Sequence, residues 1–528
     1  MTETVYDRLA ASAARWPDRP LFCVLPETAQ AYDILAGEIS FAETLTRVDA
    51  QANAYAAAGY RAGHRVLILL ENRPSYFLHW MALNRLGVSV VPVNPDLRAA
   101  ELSYMIGHAE PASAVSIADR ASDLSDAANY DLPVFGPNDG PLPPATAPNA
   151  APGEAAMLYT SGTTGNPKGC VLTNAYFTMS GDWYKNAGGL CAITEDGERM
   201  LTPLPVFHMN AMACSFMAML TVGGCLIALD RFHPKTWWAS VRDSRATCLH
   251  YLGVIPSILM KAPPAPSDTD HAIRFGFGAG VDPELHAPFE ARFGFPLVEG
   301  WGMTETSAAN AICNNIEPRL VGVSCLGKPP KEVEVRILTD EGTEAEPDTP
   351  GELLVRRAGN APRLAFFDHY YKNPEATAEA WEGGWFHTGD LVRKDAEGNI
   401  FFVDRKKNII RRSGENIAAI EVESVLMQHP DITAAAVAPV ADDIRGEEVF
   451  ACLTVADPGE AKAQEIMEFC LAQMAYYKAP GHIAFVDTLP LTSTQKIQRG
   501  VLKTLVVSLL NNPATIRTAH LKKRQVAP

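Results

Sequence analysis

Short apolar runs rich in β-branched residues alternate with amphipathic stretches of helical period along most of this chain. Val66 to Leu70, Val88 to Val93, Ala114 to Ile117, Cys225 to Leu229, Cys248 to Leu252 and Ile273 to Gly276 predict buried strands. Between them, Phe41 to Ala58 and Tyr76 to Leu86 carry apolar residues at helical spacing and predict crossover helices. Strand, helix, strand in repetition predicts largely parallel sheets. The Pro/Gly-rich connection Leu132 to Gly153 is long enough to separate two subdomains, and a shorter one covers Ala262 to Asp268. After Val333 the runs shorten to VEVRIL and GELLVR with turn residues between, predicting a small β-rich unit. A further break follows Asp404-Arg405-Lys406-Lys407. Beyond it Ala419 to Met427 predicts a helix, Ala434 to Val440 and Val449 to Val455 strands, and Ala461 to Met474 a helix. The fold class expected is α/β multidomain: a large N-terminal domain with two α/β subdomains and a small β-rich unit, then a small α+β C-terminal domain.

Length supports more than one core, because 528 residues exceed the ~250–300 at which single cores stop growing. A net charge of -16 provides no cationic field for nucleic acid, so a polyanionic ligand has to be held by local groups. Ten cysteines without a C-x-x-C pair indicate free thiols in a reducing, cytoplasmic setting. The N-terminus carries Glu3, Asp7, Arg8 and Arg15 in an amphipathic pattern, unlike an export signal. Met209 to Leu229 is 21 residues without a charge, which is spanning length. Gly223-Gly224 divide it into a helix of about four turns and a strand, so it is read as core and no membrane insertion is expected.

Chemistry concentrates first in Tyr159 to Gly169, YTSGTTGNPKG, between two strand-like runs. Glycines let backbone N–H groups approach an anion, hydroxyls donate, and Lys168 supplies charge. This is not a Walker A loop, since Lys168 lies between Pro167 and Gly169 rather than before Ser/Thr at a helix start. Alone, it also reads as a Ser/Gly-rich surface turn. Four later segments add to it. EGWGMTETS places a ring, a hydroxyl and a carboxylate side by side at Trp301, Thr304 and Glu305, suited to a purine, a phosphate and a magnesium ion, although a Gly-aromatic-Gly turn is commonly structural. GWFHTGDL sets Asp390 after a glycine, where it would accept ribose hydroxyls or serve as a turn aspartate. FVDRKKNIIRRSGENI is a basic cluster on an acidic chain, and LPLTSTQKIQR carries Lys496.

In this order, with PVFHMNA at 205–211, these motifs resemble the acyl- and aryl-CoA synthetase branch of the adenylate-forming enzymes over nearly the whole chain, with some likeness to carnitine/crotonobetaine-type ligases. The resemblance implies an AMP-forming acid:CoA ligase. A carboxylate attacks the α-phosphorus of ATP, releasing pyrophosphate, and CoA then displaces AMP. It implies ATP, Mg2+ and coenzyme A as substrates and cofactors, no nucleic-acid partner, and an assembly that includes a homodimer among its options. It implies that Thr160, Ser161, Gly162, Thr163, Thr164, Gly165 and Lys168 clamp phosphates, that Thr304 touches the α-phosphate, and that Glu305 holds metal. Gly278, Ala279, Gly280, Trp301 and Gly302 would take adenine, and Asp390 and Arg405 the ribose. Lys496 would be the catalytic cation and His208 a gate. Residues 1–404 would form the large domain, 405–407 a hinge at Lys407, and 408–528 a small mobile domain whose Arg412, Ser413, Gly414 and Glu415 approach CoA. The acyl pocket would use Met209, Asn210, Gly253, Val254, Phe277, Gly300 and Met303, with Asn210 a polar group in an apolar lining.

Departures from the family pattern qualify these roles. Trp301 stands where tyrosine is usual, and Thr494-Gln495 precede the lysine in place of Ser-Gly. His208 occupies the place where amino-acid-activating members carry an aspartate, which disfavours an amino-acid substrate. A luciferase-like oxygenase and a catalytically silent carboxylate- or nucleotide-binding relative are the alternatives.

Overall fold

Helix boundaries follow local chemistry from the first turn. Thr4 caps the helix Val5–Arg15 through its hydroxyl on the Asp7 N–H (3.0 Å), while the Asp7 carboxylate accepts from the Thr4 N–H (2.9 Å). Ser40 caps Phe41–Ala57 through the Glu43 N–H, and Pro74 opens Pro74–Arg85 where its missing N–H costs nothing. This computed structural model describes residues 3–140, 142–146, 148–151, 153–160, 167–281, 283–339, 341–405, 409–490, 497 and 499–522.

The described residues form four sheets. One runs, in spatial order, His369–Tyr370, Lys168–Thr173, Glu154–Thr160, Ser89–Pro92, Arg65–Leu69, Ser113–Ser116 and Val134–Phe135, parallel except at the two joins nearest His369. A second, of eight strands, is parallel through its centre, where Cys248–Leu252 pairs with Phe275–Ala279 and that strand with Leu297–Trp301. A five-stranded antiparallel sheet, including Val333–Leu338, Gly351–Arg357, Phe386–Lys394 and Ile400–Arg405, is the β-rich unit. The fourth sheet comes from the chain after residue 408, with the long hairpin Ile432–Asp442 and Gly446–Val455 at its centre. Strands covered on both faces read as apolar runs: every residue of Arg65–Leu69 is buried, and after the arginine the run is Val, Leu, Ile, Leu.

Two expectations are corrected. The connection Leu132 to Gly153 does not divide subdomains, because both strands it joins, Val134–Phe135 and Glu154–Thr160, belong to the same sheet. It returns across that sheet held by His64 Nε2 with the Thr146 carbonyl oxygen (2.7 Å) and by the Asn149 N–H to the Gly63 carbonyl (2.7 Å). The long uncharged segment starts as a π-helix, Asn210–Phe216, before the α-helix Met217–Val222 and the strand Cys225–Ala228. Its helical residues from Ala211 to Val222 are buried, and no helix among the described residues is long and apolar enough to cross a membrane.

The sheet carrying the hairpin Glu154–Thr160 and Lys168–Thr173 is fastened by a pair that local sequence does not announce. Arg65 and Glu154 are fully buried and joined by two 2.7 Å bonds, and the Ser89 hydroxyl donates to the same carboxylate. Burial alone would lower the Arg65 pKa, but the Glu154 carboxylate outweighs it and the guanidinium stays charged.

His79 is also buried, accepting from the Tyr55 hydroxyl (2.7 Å) and donating to the Pro137 carbonyl (3.0 Å). Burial pushes its pKa down to about 4, whereas the unfolded chain titrates near 6.5. The unfolded state therefore binds more protons in this window, and the stability from neutral His79 is whole above pH 6.5 and declines as pH falls towards 4. Acidification from pH 7.5 to 5.0 is expected to cost roughly 2 kcal/mol through this group. Urea unfolding should show that the His79→Gln variant loses less midpoint over this interval than the parent; an equal loss would contradict the assignment.

Candidate active site

A cavity of about 960 Å³ opens where the ends of the two large sheets, the β-rich unit and the last sheet meet. One side begins with the hairpin Glu154–Thr160 and Lys168–Thr173, whose register sets Thr160 opposite Lys168, both on the cavity wall. Ser161, Gly162, Thr163, Thr164 and Gly165 lie outside the described residues. Glu305, 6% exposed, takes a long hydrogen bond from the Thr160 hydroxyl (3.4 Å) and a shorter one from the Tyr370 hydroxyl (2.9 Å). Lys168 Nζ stands 4.5 Å from the centroid of the Tyr370 ring. Burial and the neighbouring Glu305 charge raise the Tyr370 pKa, so its phenol remains a donor. Tyr370 thus ties the hairpin to the carboxylate, a role no motif around it signals. Thr304 lines the same wall, its carbonyl accepting from the Tyr176 hydroxyl (2.9 Å).

The next wall comes from neighbouring strands. Gly278, Ala279 and Phe277 on one strand, and Gly300 and Trp301 on the next, line the cavity together with Gly302 and Met303. The Trp301 indole N–H donates to Asp390 Oδ2 at 2.8 Å, so the Trp in place of tyrosine aims the ring and orients the carboxylate at once. Asp390 is 2% exposed and sits directly across the ladder from Arg405, placing both ribose candidates on adjacent strands. Gly253 and Gly280 face each other behind this wall, the Gly253 N–H donating to the Ala279 carbonyl; a Cβ on Gly253 would overlap the Gly280 carbonyl. They let the wall close rather than contribute groups to the cavity, and Val254 follows in the helix Val254–Met260.

The third side belongs to the last sheet. Ser413 and Gly414, with φ of 51° and 91°, make the two-residue turn between Ile409–Arg412 and Glu415–Ala418. A Cβ on Gly414 would overlap the Leu252 side chain, so glycine lets this turn press against the cavity mouth. Ser413, Gly414 and Glu415 line the cavity, and Glu415 Oε2 lies 3.4 Å from His208 Nε2. Arg412 does not reach it. Its guanidinium is buried on Glu448 (2.9 Å to both oxygens), which Lys522 also contacts, and these two cations hold the Glu448 carboxyl below its usual range against the effect of burial. Lys496 and Lys407 fall outside the described residues.

What holds this turn in place lies at the interface. Lys478, 8% exposed, bonds Glu101 and Glu421 at 2.6 Å each. Burial alone would lower its pKa, but the two carboxylates overcome that and raise it. Glu101 also accepts from the Ala475 N–H (2.9 Å), and the Asn94 amide donates to the Tyr477 hydroxyl (3.0 Å).

Comparison with known proteins agrees with this architecture. Residues 9–364 match the AMP-binding enzyme family and residues 421–496 its C-terminal domain. The chain belongs to that family, within the adenylate-forming acyl-CoA synthetases. It is 31% identical over 517 residues to the sulfoacetate–CoA ligase of Cupriavidus necator, covering 94% of this chain and 97% of that one. It is 29% identical to the crotonobetaine/carnitine–CoA ligase of Citrobacter koseri, with coverages of 88% and 93%. Among solved structures, the o-succinylbenzoate CoA synthetase of Bacillus subtilis with a bound product analogue superposes with a TM-score of 0.80 at 25% identity, covering 95% and 98% of the two chains. The same synthetase with AMP gives 0.64 and with its acyl-adenylate 0.65.

Replacing Trp301 by Phe keeps an aromatic face but removes the bond to Asp390. The expected result is a rise of about tenfold in the KM for ATP with a smaller change in kcat, the weight of one hydrogen bond to a charged group. Steady-state kinetics with ATP varied would check it, and an unchanged KM would contradict the orienting role.

Proposed function

We propose that this chain is an AMP-forming acid:CoA ligase working in two half-reactions, divided between two orientations of a C-terminal domain that starts after a hinge at residues 405–407. The observation that carries the reading is the convergence of Thr160, Lys168, Glu305 and Trp301 on one cavity with Ser413–Glu415 from the other side. In the first half-reaction a carboxylate oxygen attacks the α-phosphorus of ATP, and pyrophosphate leaves with the electrons of the broken P–O bond. Such a transfer asks the protein for positioning and charge neutralisation. The 160–168 loop clamps the β- and γ-phosphates, Thr304 contacts the α-phosphate, Trp301 stacks on adenine, and Asp390 with Arg405 takes the ribose. Glu305, buried and already a hydrogen-bond acceptor from two hydroxyls, fits a magnesium ligand, and magnesium there would neutralise phosphate charge. Lys496 bridges carboxylate and α-phosphate.

In the second half-reaction the CoA sulfur attacks the acyl carbon and AMP departs. With Lys496 withdrawn, Ser413–Glu415 border the pantetheine path, and His208 stands between it and the acyl pocket. Three observations support this orientation for the structure in hand: the Glu415–His208 approach, the Lys478 contacts, and the better superposition on the product-analogue complex than on the AMP and acyl-adenylate complexes.

A panel of carboxylic acids with ATP, magnesium and CoA should give acid-dependent AMP and pyrophosphate; release of ADP, or no AMP with any acid, would overturn the reading. Lys496→Ala should cut adenylate formation by at least about a hundredfold, the scale of removing one transition-state charge contact, yet leave conversion of supplied acyl-adenylate to thioester within a few-fold. Equal loss of both rates in single-turnover experiments would sink the alternation.

A further inference from the structure

The acyl end of the cavity contains a chain of buried polar groups that the reaction itself does not use. His250 lies on the strand Cys248–Leu252, paired in register with Phe277, and is fully buried. Its Nε2 is 3.0 Å from the Tyr184 hydroxyl, and its Nδ1 is 2.8 Å from Asn210 Oδ1 and 2.7 Å from Ser215 Oγ. An amide oxygen accepts and cannot donate, so Nδ1 carries the proton and Nε2 accepts from Tyr184. Burial pushes the His250 pKa down to about 3, so the ring stays neutral near pH 7, and burial also raises that of Tyr184, keeping it a phenol. With its oxygen committed to His250, and to Ser215 at 3.4 Å, Asn210 has its NH2 left. That amide makes no hydrogen bond among the described residues, and Asn210 lines the cavity at the start of the π-helix, whose widened turn is marked by the Ser215 hydroxyl reaching back to the Asn210 carbonyl (3.3 Å).

Around Asn210 the wall is uncharged: Trp183, Met209, Cys214 and Phe277, with Trp183 and Phe277 in edge contact at 5.8 Å. Elsewhere on the wall, among the described residues, Lys168 lies over the Tyr370 ring, Glu305 bonds Thr160 and Tyr370, Glu415 approaches His208, Glu352 lies beside His387, Lys478 pairs with Glu101 and Glu421, and Glu379 and Glu382 complete the charged lining. A sulfonate packed against these four side chains would meet no cation among them, and a trimethylammonium would face the positive end of an amide dipole. Each is costly in such surroundings.

Resting on the acid:CoA ligase reading, we propose that the acid has an uncharged acyl group with a hydrogen-bond-accepting oxygen at its far end, read by the Asn210 NH2 at the end of a Tyr184–His250–Asn210 relay. This sets the chain apart from relatives named for sulfoacetate and for carnitine. Satisfying a pre-oriented donor on the cavity wall discriminates more strongly than adding a methylene, because the wrong ligand displaces water and leaves the donor unpaired.

The test uses matched acids that differ only in the acceptor, 4-methoxybenzoate against 4-ethylbenzoate and 5-oxohexanoate against 5-methylhexanoate, together with sulfoacetate and carnitine, measuring acid-dependent AMP. In at least one pair the oxygen-bearing member is expected to show kcat/KM about tenfold higher, and that ratio should fall towards one in Asn210→Leu and at least about threefold in the gentler Tyr184→Phe. Higher activity with sulfoacetate or carnitine than with every uncharged acid would overturn the proposal while leaving the ligase reading intact. So would a ratio near one in the parent, or one that survives in both variants. Absence of AMP with all six acids would overturn this proposal, and failure of the broader acid panel as well would take the ligase reading with it.

Discussion

The arrangement of the cavity depends on one buried lysine. Lys478 has left water and is held between Glu101 of the helix Ala99–Ala109 and Glu421 of the helix Ala419–Leu426. An ammonium in such a place is tolerable only while paired, since removing one partner of a buried ion pair typically costs about 3–5 kcal/mol. The contact therefore specifies one orientation of the last sheet sharply. Once it is made, the Ser413–Gly414 turn lands against Leu252 and Glu415 comes within reach of His208.

The same chemistry suits the reversible orientation proposed above. Three charged side chains separate with less penalty than an apolar core of equal size, because water solvates each when the contact opens. On the proposed alternation, a domain that presented Lys496 for one step and the Ser413–Glu415 turn for the next would need an attachment that is specific when closed and replaceable when open. By contrast, Thr160, Lys168, Trp301 and Asp390 stand on strands fastened within their own sheets. Arg65–Glu154 secures the strand Glu154–Thr160 that leads to Lys168, and Trp301–Asp390 joins the second large sheet to the β-rich unit.

Much of this was legible in the chain because its signals are local. The strand Cys248–Leu252 has the very bounds its apolar run suggests, and the strands Glu154–Thr160 and Lys168–Thr173 stand where apolar runs flank the Ser/Thr/Gly segment. What was hidden depends on partners distant in sequence. Nothing near Tyr370 foretells Glu305, nothing near His250 foretells Tyr184 and Asn210, and the π-helix replaces an ordinary helical turn because Asn210 and Ser215 both converge on His250. Arg412 shows the limit from the other side. The family resemblance implied a reach towards CoA, yet a carboxylate 36 residues away, Glu448, draws it into its own domain. A charge run tells where cations lie, and tertiary partners decide which way each one points.

The central claim is that one fixed orientation serves only one half-reaction. Lys261 Nζ meets the Asp443 carbonyl at 3.1 Å across the interface, so cysteines at these two exposed positions can be joined by a short bis-maleimide. Of the ten native cysteines, nine are buried, which limits competing reaction. The account predicts that the tethered protein converts supplied acyl-adenylate and CoA to thioester while releasing no pyrophosphate from ATP and acid. Pyrophosphate release by the tethered protein at the untethered rate would contradict it.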